Sequence, residues 1–125
     1  MPKTFSDLWI FSEDGLVVFQ AVSEEIVLSD LFGGMISALN IFAENISEGG
    51  ITSFTFERNR FVVIKDRHFM FVSRSDIDQD VRELKDEMKQ IVKKFFLRFP
   101  ARTLKNWKGG NTGMFSGFKN DLHEI

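Results

Sequence analysis

Apolar residues recur along this chain in two rhythms, one of period two and one of between three and four, and their alternation lays out the fold. Two runs open the chain, Leu8-Trp9-Ile10-Phe11 and Leu16-Val17-Val18-Phe19-Gln20-Ala21, separated by Ser12-Glu13-Asp14-Gly15. Polar turn formers and a glycine that tolerates positive φ, set between β-branched and aromatic residues, predict an antiparallel hairpin. The runs are almost continuously apolar, so these strands are expected to be covered on both faces.

Helical spacing takes over after Ser23-Glu24-Glu25. Ser29-Asp30 supplies N-cap chemistry, and Leu28, Leu31, Phe32, Met35, Leu39, Phe42, Ala43 and Ile46 then recur until Gly49-Gly50 ends the segment. At about 100° per residue these positions share one broad stripe, which predicts a helix with that stripe against the core. The other face carries Asp30, Gly33, Gly34, Ser37, Ala38 and Ile41. Each internal glycine costs about 1 kcal/mol relative to alanine, and close approach of another helix is the usual compensation. That helix could belong to a second subunit or be the chain's own last one, and the sequence leaves both open. Gly33, Gly34, Ser37 and Ile41 are therefore the candidate partner-binding residues.

Three strands are predicted next, Ile51–Glu57, Phe61–Lys65 and Phe69–Arg74, with tight turns at Arg58-Asn59-Arg60 and Asp66-Arg67-His68. Ile77, Val81, Leu84, Met88, Ile91, Phe95 and Phe99 then form a narrow seam on a helix from about Asp78 to Phe99, stopped by Pro100. Asp76, Asp78 and Asp80 stand at its positive end and Lys93, Lys94 and Arg98 near its negative end, as the helix dipole favours. A glycine-rich turn at 109–113 leads to a short last helix with Phe115, Phe118, Leu122 and Ile125 on one face. The expected order is ββαβββα with a small extra α. It describes one α+β domain over residues 1–125, a five-stranded antiparallel sheet between the first helix and the long second one.

Little in this pattern is reactive chemistry. The chain has 125 residues and no cysteine, which excludes disulfides, thiolate metal sites and cysteine nucleophiles. No apolar run approaches the roughly 20 residues of a membrane-spanning helix. Met1 to Asp7 lacks the apolar core of a secretion signal, so a cytoplasmic location, with contact to a membrane at most peripheral, is the expectation. Gly109-Gly110-Asn111-Thr112-Gly113 is followed by Met114 and Phe115, not by the lysine and hydroxyl residue of a phosphate loop, so it reads as a connector. His68, near Asp66, lacks a second ligand close in sequence and reads as a solvated turn residue. No catalytic, metal or cofactor-binding residue is expected, and no nucleic-acid motif is present.

The charge layout is more informative than the total of −2. Residues 1–88 carry −8, residues 89–108 carry +7, and the remainder carries −1. Lys89, Lys93, Lys94, Arg98, Arg102, Lys105 and Lys108 form a run without an acid, interleaved with Phe95, Phe96, Leu97, Phe99 and Trp107. One reading is an anionic partner: lipid headgroups, phosphates or an acidic protein face. The other is dipole complementarity combined with neutralisation of the acidic body, and both stay open.

The order of elements resembles a longin domain, the profilin-like α/β/α sandwich. Asp7-Leu8-Trp9-Ile10-Phe11-Ser12-Glu13-Asp14-Gly15 resembles the opening longin hairpin, and the stretch from Asp30 to Ala43 resembles the first helix of archaeal longin-like proteins. Leu104-Lys105-Asn106-Trp107-Lys108-Gly109-Gly110-Asn111, with Phe115 and Phe118 after it, is similar to their C-terminal segment. The related roadblock domain begins with a helix, unlike this chain. The resemblance implies a non-enzymatic interaction module: a homodimer, or a partner for a second longin or roadblock domain, serving a small Ras-like GTPase or trafficking-like machinery. The chain has no GTP-binding motif and no SNARE coil, so it would be the GTPase's partner and a stand-alone module. The alternative is an adaptor that binds anionic membranes peripherally through segment 89–108.

Overall fold

The structure, a computed structural model, describes residues 5–22, 29–105, 107 and 113–122. Strands β1 (Asp7–Ser12) and β2 (Val17–Ala21) form the first hairpin. Its turn closes as Ser12 N–H donates to the Leu16 carbonyl at 2.9 Å and Gly15 N–H to the Ser12 carbonyl at 2.9 Å, with Gly15 at φ 89°. Helix α1 (Ser29–Ile46) leads to the meander β3 (Ser53–Phe56), β4 (Asn59–Asp66) and β5 (Phe69–Asp76). Helix α2 (Val81–Arg98), the short α3 (Ala101–Lys105), a 3₁₀ turn at Gly113–Phe115 and α4 (Phe118–Leu122) complete the chain. All strand pairs are antiparallel and their order is β2-β1-β5-β4-β3, which places the first strand beside the last.

The expected sheet between two helical layers is present, and strand alternation builds a core on each face. Leu8 and Ile10 of β1, Val62 of β4 and Phe69 and Phe71 of β5 point to the α2 side. Trp9 and Phe11, Phe61 and Val63, and Met70 and Val72 point to the α1 side. The α2 seam lands where its spacing puts it: Leu84, Met88, Ile91, Phe95 and Phe99 are buried. Asp80 is its N-cap and accepts from Arg82 N–H at 2.8 Å and Glu83 N–H at 3.4 Å, so the helix starts at Val81 and not at Asp78. Phe115, Phe118 and Leu122 of the predicted last-helix face are buried on this same layer, against Phe95, Phe99 and Phe19, while Ile125 and positions 109–112 of the glycine-rich turn lie outside the described residues.

Two turns differ from expectation in detail. Phe56 pairs with Asn59 and Asp66 with Phe69, so each turn has two central residues, Glu57-Arg58 and Arg67-His68. Arg67 and His68 both have positive φ, 48° and 71°, as the right-handed twist of a tight hairpin asks of its turn. Neither is the glycine or asparagine that takes this conformation at low cost.

Helix α1 departs from its predicted orientation. Its buried residues are Phe32, Gly33, Ile36 and Ser37, while Leu31, Met35, Phe42 and Ile46 of the predicted core stripe are exposed, at 71%, 38%, 63% and 74%. Leu28 lies outside the described residues. The cause is a close approach to the first hairpin. A Cβ on Gly33 would collide with the Gly15 carbonyl oxygen and come within 2.9 Å of Phe11, and one on Gly15 would meet the Gly33 carbonyl oxygen at 2.5 Å. Ser37 Oγ donates to the Glu13 carbonyl at 2.8 Å. The helix thus sits on its small residues, and a bulky stripe turned inward would not fit.

Candidate functional site

What α1 turns outward is an apolar face. Leu31, Met35, Phe42 and Ile46 follow one another at steps of four, seven and four residues, and Ile41 is exposed beside them. Of the eighteen residues of α1 only Asp30 and Glu44 are charged, so no polar face competes for solvent. Beneath this layer, β3 ends the sheet, and among the described residues no further strand pairs beyond it. Phe54 packs against the α1-side core, and the Phe56 ring, half exposed, lies 5.4 Å from Phe54 and 5.9 Å from Phe61. The α1 layer therefore presents an uncovered apolar helix face and an open strand edge with aromatic residues on the same side.

Helix ends and loops hold α1 in this pose. Trp9 Nε1–H donates to Ser29 Oγ at 3.2 Å, and Ser29 Oγ–H donates to Gln20. At the other end, Lys65 Nζ donates to Asn40 Oδ1 at 2.8 Å and to the Gly49 carbonyl, which places a cation by the helix C-terminus that α1 itself lacks.

The four residues expected on a docking face divide. Gly33 and Ser37 are buried against the chain's own first hairpin and present no surface, which corrects that assignment. Gly34, beside which an added Cβ would meet nothing within 4 Å, and Ile41 are exposed. The last helix packs on the α2 side, so it is not what covers the glycines.

The basic run also divides. At about 100° per residue, Lys89 and Lys93 share one side of α2 while Lys94 and Arg98 lie around the helix from them. Arg98 Nη1 donates to Asp121 Oδ1 at 3.0 Å and its guanidinium rests against Gly117, so it ties α2 to the tail. Arg102 and Lys105 are exposed on α3, and Lys108 lies outside the described residues. Lys89 and Lys93 instead line a cleft of about 370 Å³ between α2 and the β4–β5 turn.

Two further groupings hold charge. At the tips of the two hairpins, His68 Nδ1 and Glu13 Oε2 are 2.9 Å apart and exposed, a clasp beside a cavity of about 620 Å³ walled by Leu16, Phe69, Leu104 and Trp107. At the start of α2, Arg58 pairs with Asp76 at 3.0 Å and with Asp78. The Asp78 N–H, donating at 2.9 Å, and then the Arg58 charge hold the Asp76 carboxyl below its ordinary range, with partial desolvation opposing them. Among the described residues, no three His, Asp or Glu side chains gather as a metal site. Among them too, no helix is long and apolar enough to cross a membrane.

A family model described as the first longin domain of FUZ, MON1 and HPS1 matches residues 6–110. No curated protein sequence matches significantly. Several solved structures share the fold. The gliding protein MglB of Thermus thermophilus aligns with a TM-score of 0.61 at 11% identity, over 70% of this chain and 73% of that one. A roadblock/LC7 domain of Streptomyces avermitilis gives 0.61 at 18% identity, over 72% and 81%. MglB of Myxococcus xanthus gives 0.57 at 11% identity, over 69% and 76%.

Proposed function

The chain belongs to the family of the first longin domain of FUZ, MON1 and HPS1, and we propose that this protein-interaction module pairs through the outer face of α1 and the open edge of β3 with a second domain of its own type, in the first instance a second copy of itself. The observation that carries this reading is the outward apolar face of α1. Burying side chains such as Leu31, Phe42 and Ile46 would return about 1–2 kcal/mol each, from the part of each that is now exposed. A two-fold pairing uses the same patch on both partners, so every such residue contributes twice, against the cost of association.

The open edge supplies the matching polar groups. Antiparallel addition of a second β3 would satisfy backbone N–H and C=O groups that now face solvent, and β3 carries neither proline nor charge to block it. A solved MglB with a tetrameric arrangement shows that a protein of this fold assembles in that case. The longin resemblance extends the reading one step: the paired domains would serve as a platform for a small Ras-like GTPase, without catalysis by this chain.

The absence of cysteine makes the test direct. Spin labels on Ala38→Cys (outer α1) and Thr55→Cys (β3 edge) should each report a short distance between molecules that disappears on dilution with unlabelled protein. A label on Lys85→Cys, on the opposite layer, should report none. Equal signals at all three positions, or none at Ala38 and Thr55, contradict the pairing.

A further inference from the structure

We propose that the cleft between α2 and the β4–β5 turn receives an acidic peptide segment of a partner protein, anchored by one apolar side chain. This site lies on the opposite layer from α1 and does not depend on the pairing proposed above. Its floor is apolar: Ile64 of β4 is half-buried, and Val92 and Phe96 of α2 are buried. Its walls are cationic, with Lys89 and Lys93 one turn apart on α2 and Arg67 across from them in the hairpin turn. Among the described residues lining the cleft the one carboxylate is that of Asp66, whose Oδ1 lies 3.4 Å from Arg67 Nε, so these walls carry a net positive charge.

Two features separate this place from an ordinary solvated helix face. The Arg67 guanidinium is stacked over the Phe96 ring, 4.4 Å from its centre, so the cation is held in place before any ligand arrives. Arg67 is also one of the two residues that hold positive φ in a turn where glycine or asparagine would do so more cheaply, and backbone strain of this kind gathers at functional positions. Lys89 and Lys93 make no ion pair with any described residue, and Leu97, 72% exposed, extends the apolar floor to the rim. A volume of about 370 Å³ holds one or two side chains, not a folded domain. The cations converge on a concavity instead of spreading over a plane. That geometry fits a carboxylate-rich segment with a Leu or Phe between its acids better than it fits a bilayer surface.

The probe is a short fluorescent peptide with glutamates on both sides of a central Phe-Leu pair. It is titrated against the full chain alongside a glutamine version, an all-glutamate version and vesicles with an anionic lipid. Saturable binding is expected, with amide NMR shifts at Ile64, Arg67, Val92 and Phe96. Lys89→Glu with Lys93→Glu should weaken it at least tenfold, and Lys85→Glu should change it less than twofold. These side chains are exposed, so the variants should keep the wild-type circular dichroism and melting temperature. The glutamine and all-glutamate peptides should each bind at least tenfold more weakly. Absence of saturable binding, or indifference to the double substitution, overturns the proposal. So does equal binding of the all-glutamate peptide, which would mean unspecific charge attraction. Vesicle binding that the double substitution abolishes while the peptide remains unbound assigns the cations to a membrane and overturns it equally.

Discussion

The two helices of this protein obey the same amphipathic rule and meet opposite fates. Helix α2 has nine charged residues among eighteen, and its apolar seam has one place to go: Leu84, Met88, Ile91 and Phe95 are all buried. Helix α1 has two charged residues among eighteen and buries Phe32 and Ile36 through close contact at Gly33 and Ser37. Its larger apolar side chains remain outside. Periodicity locates an inner face only where a polar face exists to contrast with it. Where every side is apolar, the closest approach decides, and small residues mark it. The α2 layer is a finished core; the α1 layer has its core beneath the helix and a second apolar face above it.

The sharpest break between the layers should come from removing one aromatic residue on each. Phe95→Ala deletes a fully buried ring in contact with Phe69, Phe71, Phe99, Phe115 and Phe118, and should cost about 3–5 kcal/mol in urea unfolding. Phe42→Ala removes a ring of the same size that is 63% exposed, and at concentrations where the chain is monomeric it should change stability by less than about 0.5 kcal/mol. Comparable losses would mean that the outward face is part of the fold.

The adjacent glycines sharpen the comparison within α1 itself. Gly33→Ala forces a methyl group into the Gly15 backbone, which cannot move without opening the first hairpin, and should destabilise by about 2–3 kcal/mol. Gly34→Ala enters open space on the helix exterior and should stabilise by up to about 1 kcal/mol. Thermal unfolding of the two variants therefore moves in opposite directions, and equal shifts would refute the assigned orientation of α1.

The smallest effect belongs to the exposed charges at the start of α2. The Asp76 carboxyl titrates lower in the fold than in the unfolded chain, so its contribution is present above the ordinary carboxylate range and is lost as pH falls through its depressed folded value. Asp76→Asn should lower stability slightly at neutral pH and flatten the acid limb of the stability profile. An unchanged acid limb would mean that the Asp78 N–H and Arg58 do not act on it as described.

Much of the fold was legible from local pattern alone. The hairpin at Ser12–Gly15, the period-two strands, the α2 seam and the buried positions of the tail at Phe115, Phe118 and Leu122 each rest on contrasts within a few residues. The orientation of α1 was legible only in part, because Gly33 and Ser37 act through residues about twenty positions earlier in the first hairpin. Their smallness was visible; what they approach was not. The basic run showed its sign in the sequence but not its division, since that depends on where each lysine falls around α2. The cleft was invisible for a related reason: Arg67 and Phe96 are separated in sequence by β5 and most of α2, and only the tertiary fold brings them together.

The central claim is that the outer face of α1 is an association surface left open by the fold. Sedimentation equilibrium over a wide concentration range tests it most directly. Wild-type protein should associate reversibly to a dimer. Phe42→Glu, which places a charge in that face without touching the core, should stay monomeric with unchanged secondary structure. Wild-type protein that is monomeric at every concentration, or a Phe42→Glu variant that associates as well as wild type, would contradict the claim.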